Sequence, residues 1–282
     1  MNMNSLPTIS NNEQKLVRKL NRSKYRKKNS QFIAEGERTV LQIIENGSCA
    51  VDLVLFDDQS QLWELNEWSA LLSSPDFNCR QVDHRDFTEL CDTDNPQGIA
   101  AVCRIPEEPD PLELATQTKK QLQTDSGVIV ACDAIQDPGN LGTIIRTAVW
   151  FGAKAIMIGK GTVDPYNPKV VRSTAGTTGV LPCLTGPLDH LLPYFEEYGW
   201  HTLLLDAHAD AAPISQLQLP VTVGTIIIVG NEANGIQSSL FNGDRQSIVI
   251  SSPAANTRAE SLNAAISLGV AFYECTRANS PE

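Results

Sequence analysis

Apolar positions along this chain fall into two blocks separated by a polar stretch. In the first, residues 13–104, Leu16, Val17 and Leu20 recur at helical spacing. Val40, Leu41 and Ile44 mark one face of a second helix over residues 37–46, with Gly47 as its stop. Residues 51–56 form a short continuous apolar run, which predicts a buried strand. Residues 98–103, after the turn signal Asn95-Pro96, predict another. The block reads as a small α/β unit. In the second block, residues 127–277, apolar runs at 128–132, 155–158, 202–205, 225–229 and 247–250 alternate with helical stretches at 141–151, 188–198 and 262–274. Short apolar strands between helices predict a mostly parallel sheet covered on both faces. Residues 105–126 hold Pro106, Pro109 and Pro111 and read as a linker, with room for a short helix over 112–122.

Composition narrows the picture. With 41% hydrophobic residues in 282, the chain can bury a substantial core, and nothing in it points to overall disorder. The net charge of −11 argues against a generic polyanion binder, but the charge is unevenly placed. Residues 1–40 carry nine Lys and Arg against Glu13, Glu35 and Glu37, a net +6, so the remainder carries −17. A basic arm on an acidic body fits a nucleic-acid contact at one end, and fits a solvated N-terminus equally well. Seven cysteines, an odd number with no C-x-x-C pair, argue against a disulfide framework and a zinc ribbon. Residues 1–10 are polar, and apolar runs such as 226–229 are far too short to span a bilayer. The expectation is a reduced, cytoplasmic protein with no membrane partner.

In open parallel sheets ligands bind where strands end at their carboxyl side, so the loops after strands carry the chemistry. Three stand out. Asp137-Pro138-Gly139-Asn140-Leu141-Gly142 is a tight turn into a helix bearing Arg146. Gly230-Asn231-Glu232-Ala233-Asn234-Gly235 places a carboxylate between glycines at a strand end. Ser251-Ser252-Pro253 opens a small-residue loop that leads to Ser261-Leu262-Asn263. Alone, each has an ordinary alternative: a plain strand-to-helix turn, an Asn/Glu helix cap, and Ser261 as an N-cap. Other chemistries fit poorly. Gly159-Lys160-Gly161 lacks the Ser or Thr of a phosphate loop, and no G-x-G-x-x-G, G-x-S-x-G or H-E-x-x-H occurs. Asp206, His208 and Asp210 alternate after a strand but have no further ligand near them in sequence, so no metal is expected.

Taken in order, these loops resemble the motifs of the SpoU (TrmH) branch of the SPOUT RNA methyltransferases. The resemblance rests on Asn140-x-Gly142-x-x-x-Arg146, Gly230-Asn231-Glu232-x-x-Gly235 and Ser261-Leu262-Asn263. Asn167-Pro168-Lys169 and Arg172-Ser173-Thr174-Ala175-Gly176 match the segment between motifs. Residues 32–38 and 97–102 are similar to the start and end of the family's substrate-binding domain. Ala264-Ala265 and the long loop over 254–260 depart from the pattern.

The resemblance implies a substrate-binding domain over 13–104, a linker over 105–126 and a SPOUT domain with a C-terminal trefoil knot over 127–277. Such a knot is one of the rare exceptions to unknotted chains. It implies a homodimer, whose interface the apolar richness of 141–151 and 262–274 would place on those helices, a deep monomer core being the other reading. It implies S-adenosyl-L-methionine as cofactor, contacted by Leu205, Gly230, Ile250, Ser252 and Leu262, with no metal. The reaction implied is methylation of a ribose 2′-hydroxyl of RNA, ribosomal RNA ahead of transfer RNA. Arg146 is the residue nearest the chemistry, positioned with Asn140, Glu232, Ser261 and Asn263. A guanidinium is a poor base, so Arg146 either stabilises the developing alkoxide and holds a phosphate or loses its proton in a special site. Glu232 is a competing general base. A non-catalytic RNA-binding ribosome assembly factor and a base-methylating SPOUT enzyme are the alternatives. The presence of Asn140, Arg146, Glu232 and Asn263 favours catalysis at the ribose.

Overall fold

The computed structural model describes residues 6–62, 68, 77–121, 127–206, 211–217, 224–252 and 261–277. The chain divides into two compact units, Met1–Pro106 with Asp164–Val180, and Glu107–Val163 with Leu181–Glu282.

The first unit is built on a four-stranded sheet of β1 (Gln31–Glu35), β2 (Val51–Asp57), β3 (Cys79–Val82) and β4 (Ile99–Arg104), in the order β1-β4-β2-β3. β4 runs antiparallel to both neighbours and β3 parallel to β2. Side chains alternate between faces, as the two-residue period of a strand requires. Ile33, Leu53, Leu55, Ala100 and Val102 pack with Val17 and Leu20 of α1 (Asn11–Leu20) and with Phe87 and Leu90 of α4 (His84–Leu90). Phe32, Ala34, Val54, Phe56, Ile99, Ala101 and Cys103 pack on the other face with Val40 and Ile43 of α3 (Glu37–Asn46). α1 starts where Ser10 and Glu13 form a reciprocal capping box, and α2 (Ser23–Asn29) follows it. The basic arm is thus two ordered helices.

The segment Asp164–Val180 departs from the sequence expectation of one continuous block over 127–277, because it belongs to the first unit. Its helix α7 (Pro168–Ser173) buries Val171 in the α3-side core, and the Tyr166 ring lies 5.2 Å from that of Phe32. Two arginines fix it through three ion pairs. Arg26, 2% exposed, donates from Nε and Nη2 to Asp164 at 3.0 and 2.6 Å, and from Nη1 to the Leu20 carbonyl at 2.8 Å. Arg172 donates to Glu35 and Asp92, both at 3.0 Å, while the Asp92 amide donates to Glu35 at 2.8 Å. Burial pushes the Glu35 carboxyl up, and the Asp92 amide and Arg172 oppose that shift.

The second unit is a seven-stranded, all-parallel sheet: β5 (Val128–Cys132), β6 (Ala155–Ile158), β7 (Cys183–Thr185), β8 (His201–Leu205), β9 (Ala212–Pro213), β10 (Thr225–Val229) and β11 (Gln246–Val249), in the order β7-β6-β5-β10-β8-β11-β9. β5 and β10 sit side by side at its centre and are buried along their whole length. One face is covered by α5 (Pro111–Gln121) and α8 (Leu188–Glu196), through Leu114, Ala115, Leu188, Leu191, Leu192 and Phe195. Residues 105–126 are therefore more than a linker: α5, begun where Asp110 accepts from the Leu112 and Glu113 amides, is part of this unit's core. α6 (Pro138–Trp150) and α9 (Ala264–Arg277) pack on each other, with Phe151 stacked on Phe272 at 5.4 Å. Against the sequence reading, α6 begins three residues earlier than 141 and α9 two later than 262. In both cases a capping side chain, described below, decides the start.

None of the seven cysteines is in a disulfide, and burial pushes the Cys49 and Cys79 thiols up to about 11. No helix among the described residues is long and apolar enough to cross a membrane.

Candidate active site

The second unit gathers its candidate residues at the carboxyl ends of β5, β10, β8 and β11, four consecutive strands of the sheet. Beyond β5, Asp137 caps α6 by accepting from the Asn140 amide at 2.7 Å, and Pro138 fills the first helical position, where no amide hydrogen is needed. This places Asn140 in the first turn, half-buried, with its side chain directed at two other loops. Its Nδ2 donates to Glu232 Oε1 at 2.5 Å, and its Oδ1 accepts from Asn263 Nδ2 at 2.9 Å.

The direction of this relay is set chemically. An ionised carboxylate can only accept, so the amide nitrogen of Asn140 must face Glu232 and its oxygen must face Asn263. Asn263 in turn caps α9, its Oδ1 accepting from the Ala265 and Ile266 amides at 3.0 and 3.3 Å. The N-cap is therefore Asn263 and not Ser261, which lies exposed two residues before it. Residues 92 and 123 positions away from Asn140 are thereby tied to it.

The Gly230–Gly235 turn closes on itself. Asn231 and Gly235 exchange amide–carbonyl bonds at 3.0 and 2.9 Å, and a Cβ on Gly230 would lie 2.5–2.6 Å from backbone atoms of Gly235 and Ile236. In the structure Gly230 is required by the turn's own return. Asn231, 8% exposed, holds the turn to the β5 exit: its Nδ2 donates to the Ala134 carbonyl at 2.8 Å, and its Oδ1 accepts from the Ala233 and Asn234 amides. Asp133, fully buried, accepts from the Gln237 amide and side chain at 2.7 and 2.6 Å. Sequence reasoning gave no role to Asp133 or Gln237, and named Asn231 only as a motif member. The available signal for Asp133 was a carboxylate at the exit of a central apolar strand, where a buried charge requires a partner.

Arg146 is exposed on α6 and forms no hydrogen bond or ion pair with another described residue. It is not joined to the Asn140 network. By helical phase it shares a stripe with Thr143, Val149 and Trp150. Leu205 closes β8, and Ile250 follows β11; both are half-buried. Ser252 and Leu262 are exposed, and residues 254–260 lie outside the described residues, as do His208 and Asp210. A cavity of about 320 Å³, lined by Lys160, Leu188, His190, Gln237 and Leu240 among others, opens in the same unit, but Asn140, Glu232 and Asn263 do not line it.

Residues 127–273 match the model of the SpoU rRNA methylase family. The chain belongs to the SpoU family. Residues 11–101 match the MRM3-like substrate binding domain. Within the SpoU family the chain is similar, at 29% identity over 96% of its length and 98% of the relative's, to the 23S rRNA guanosine 2′-O-methyltransferase RlmP of Bacillus subtilis. Its fold is that of the AdoMet-bound rRNA methyltransferase from Sinorhizobium meliloti, with a TM-score of 0.80 at 22% identity over 98% of both chains. It also matches the SpoU methyltransferase AviRb from Streptomyces viridochromogenes in complex with AdoMet, with a TM-score of 0.78 at 24% identity over 95% of this chain and 98% of the other.

The relay makes a specific prediction. Asn140→Asp puts a second carboxylate against Glu232, and two carboxylates at that distance cannot both ionise. One of the pair then has its pKa raised, and a shared proton restores a hydrogen bond as the pH falls. Methyl transfer by the variant relative to the native protein should be lowest at neutral pH and recover toward pH 5. A ratio that stays flat across that range would show the Asn140–Glu232 contact to be irrelevant to turnover.

Proposed function

We propose that this SpoU-family chain transfers a methyl group from S-adenosyl-L-methionine to a ribose 2′-hydroxyl of structured RNA, with ribosomal RNA as the substrate class. The Asn140–Glu232–Asn263 relay carries this reading, because it joins the three motif loops at the sheet's ligand-binding edge. The RNA specificity draws on RlmP, a relative matched along nearly its whole length.

The strand ends fit the cofactor. Leu205, Gly230 and Ile250 terminate or follow β8, β10 and β11, three neighbours in the sheet, and so offer apolar walls beside a tight backbone turn. Ser252 and Leu262 flank the same edge. The sulfonium of S-adenosyl-L-methionine supplies a methyl group that is already activated. What remains for the protein is alignment of the ribose oxygen and removal of its proton, and alignment supplies much of the rate. Glu232 has Oε1 engaged by Asn140, which leaves Oε2 to accept the ribose proton. Arg146 holds the adjacent phosphate and stabilises the developing alkoxide, a role that suits an exposed guanidinium with a planar fork of donors. Ser261 and Asn263 position the loop beside them.

Two architectural features complete the reading. The chain from β10 to α9 is proposed to form a trefoil knot, consistent with β10 inserted between β5 and β8 and with α9 packing back on α6. The working form is proposed to be a homodimer, located in the cytoplasm, where seven cysteines without disulfides stay reduced. A decisive assay incubates the purified chain with methyl-labelled cofactor and protein-free large-subunit ribosomal RNA, then identifies the modified nucleoside by mass spectrometry. A 2′-O-methylated nucleoside is expected. Label on a base, or no transfer, would remove the proposal and favour the base-methylating or assembly-factor reading respectively.

A further inference from the structure

The cations of the N-terminal arm are of two kinds, and the sequence alone does not separate them. Between Glu13 and Glu35 the chain holds eight Lys and Arg and no carboxylate, within a protein of net charge −11. Two of the eight are structural. Arg26 is buried on Asp164, and Arg18 reaches Glu89 at 2.9 Å and Asp86 at 3.8 Å across to α4. The other six, Lys15, Lys19, Arg22, Lys24, Lys27 and Lys28, are exposed and form no ion pair with a described residue.

Helix geometry groups the six. Lys15 and Lys19 are four residues apart on α1, and Lys24 lies three and four residues before Lys27 and Lys28 on α2. Lys19 stands over the Tyr25 ring, 5.6 Å from its centroid, which brings the end of α1 to the face of α2. The paired Arg18 belongs to the side of α1 that docks on α4. Repulsion among six free cations is unfavourable for folding, and solubility does not require one sign to be segregated from an otherwise acidic chain.

We infer that the α1–α2 face is a phosphate-binding surface for duplex or folded RNA, reading backbone and not sequence. This rests on the reading of the chain as an RNA methyltransferase and deepens it. Five of the six groups are lysines, point charges without the planar fork that recognises base edges, so their contribution is affinity and orientation. Selection of the methylated nucleotide then belongs to the second unit's loops.

The test uses the full chain and two probes: protein-free large-subunit ribosomal RNA and an RNA hairpin of unrelated sequence. With about six phosphate contacts, affinity for either should fall roughly a thousandfold between 50 and 200 mM salt, at about 0.9 log unit of slope per contact. Replacing Lys24, Lys27 and Lys28 together by glutamine should halve that slope, so that the same salt change costs only about fortyfold. Arg18→Gln should leave the slope unchanged, which separates free from structural cations. The glutamine variant keeps Val17, Leu20 and Arg26, and an unaltered melting temperature would establish that it is folded. An unchanged slope in that folded variant, with ribosomal RNA still bound and methylated by the native chain, would overturn the surface while leaving the activity standing. Failure of the native chain to bind either RNA would overturn both.

Discussion

Replacing Arg146 with alanine is expected to reduce methyl transfer at least a thousandfold while cofactor affinity stays within a few-fold of native. The loss corresponds to about 4 kcal/mol of transition-state stabilisation, the scale seen when a positioned donor to a developing oxyanion is removed. The two halves of the prediction separate because of where the residue sits. Arg146 lies on α6, exposed and outside the Asn140–Glu232–Asn263 relay, whereas the cofactor edge proposed above is formed by the ends of β8, β10 and β11. Neither α6 packing nor the relay depends on its side chain, so the variant should fold. Arg146→Lys should fail nearly as badly, since an ammonium keeps the charge but not the two-pronged donor geometry. Calorimetric titration with S-adenosyl-L-methionine, paired with single-turnover transfer to RNA, checks both halves. Native-like turnover by Arg146→Ala would remove the residue from the mechanism and leave Glu232 as the candidate that matters.

A second large effect is expected on assembly. Leu262, Ile266, Val270 and Tyr273 are 51, 56, 36 and 56% exposed and recur at spacings of four, four and three, a single apolar stripe along α9 and its approach. Trp150 at the end of α6 is 83% exposed. The apolar richness of these helices is thus divided: Leu141, Ile144, Ile145, Leu268 and Phe272 are core, as a monomer requires, and Trp150, Leu262, Ile266, Val270 and Tyr273 are exposed. Outward apolar stripes of this kind mark interfaces, and obligate ones bury on the order of 2,000 Å² or more. For a homodimer whose folding and association are linked, tenfold more protein adds about 1.4 kcal/mol of apparent stability. That should raise the melting temperature by roughly 3–6 °C at 2–4 °C per kcal/mol. Ile266→Glu should give a monomer whose melting no longer depends on concentration. Native protein that scatters light as a monomer at low micromolar concentration, with a concentration-independent melt, would rule the dimer out.

Much of the second unit is legible from the chain. Residues 128–132 and 226–229 are unbroken apolar runs because both faces of those central strands are covered, and the strands expected over 128–132 and 225–229 have the bounds of β5 and β10. The short β3, β7 and β9 carry too few residues for a period to show, and none was predicted. The starts of α6 and α9 differ from the expected ones by three and two residues because caps, not periodicity, set them, whereas α3 and α8 start where expected. Asp137 could have been recognised ahead of Pro138. Asn263 could not be preferred over Ser261 without knowing which of them faces Asn140. The site's membership came from resemblance, but its connectivity did not: a hydrogen bond between residues 123 positions apart leaves no local trace. The arm's charge was visible as a sum. Its division into two buried or paired arginines and six free cations depends on Asp164 and Glu89, residues in distant parts of the chain.

The placement of Asp164–Val180 in the first unit has a consequence for synthesis and for inheritance. That unit is not a contiguous stretch of polypeptide. Arg26 has no carboxylate partner, and the α3-side core lacks Val171, until residues well beyond the end of β6 have been translated. The N-terminal unit therefore cannot be completed before its successor has begun, reversing the usual order in which domains mature on the ribosome. For the same reason the unit cannot be exchanged between relatives by a single recombination. A functional transplant must carry two gene segments, and the ion pairs of Arg26 and Arg172 must arrive with their partners.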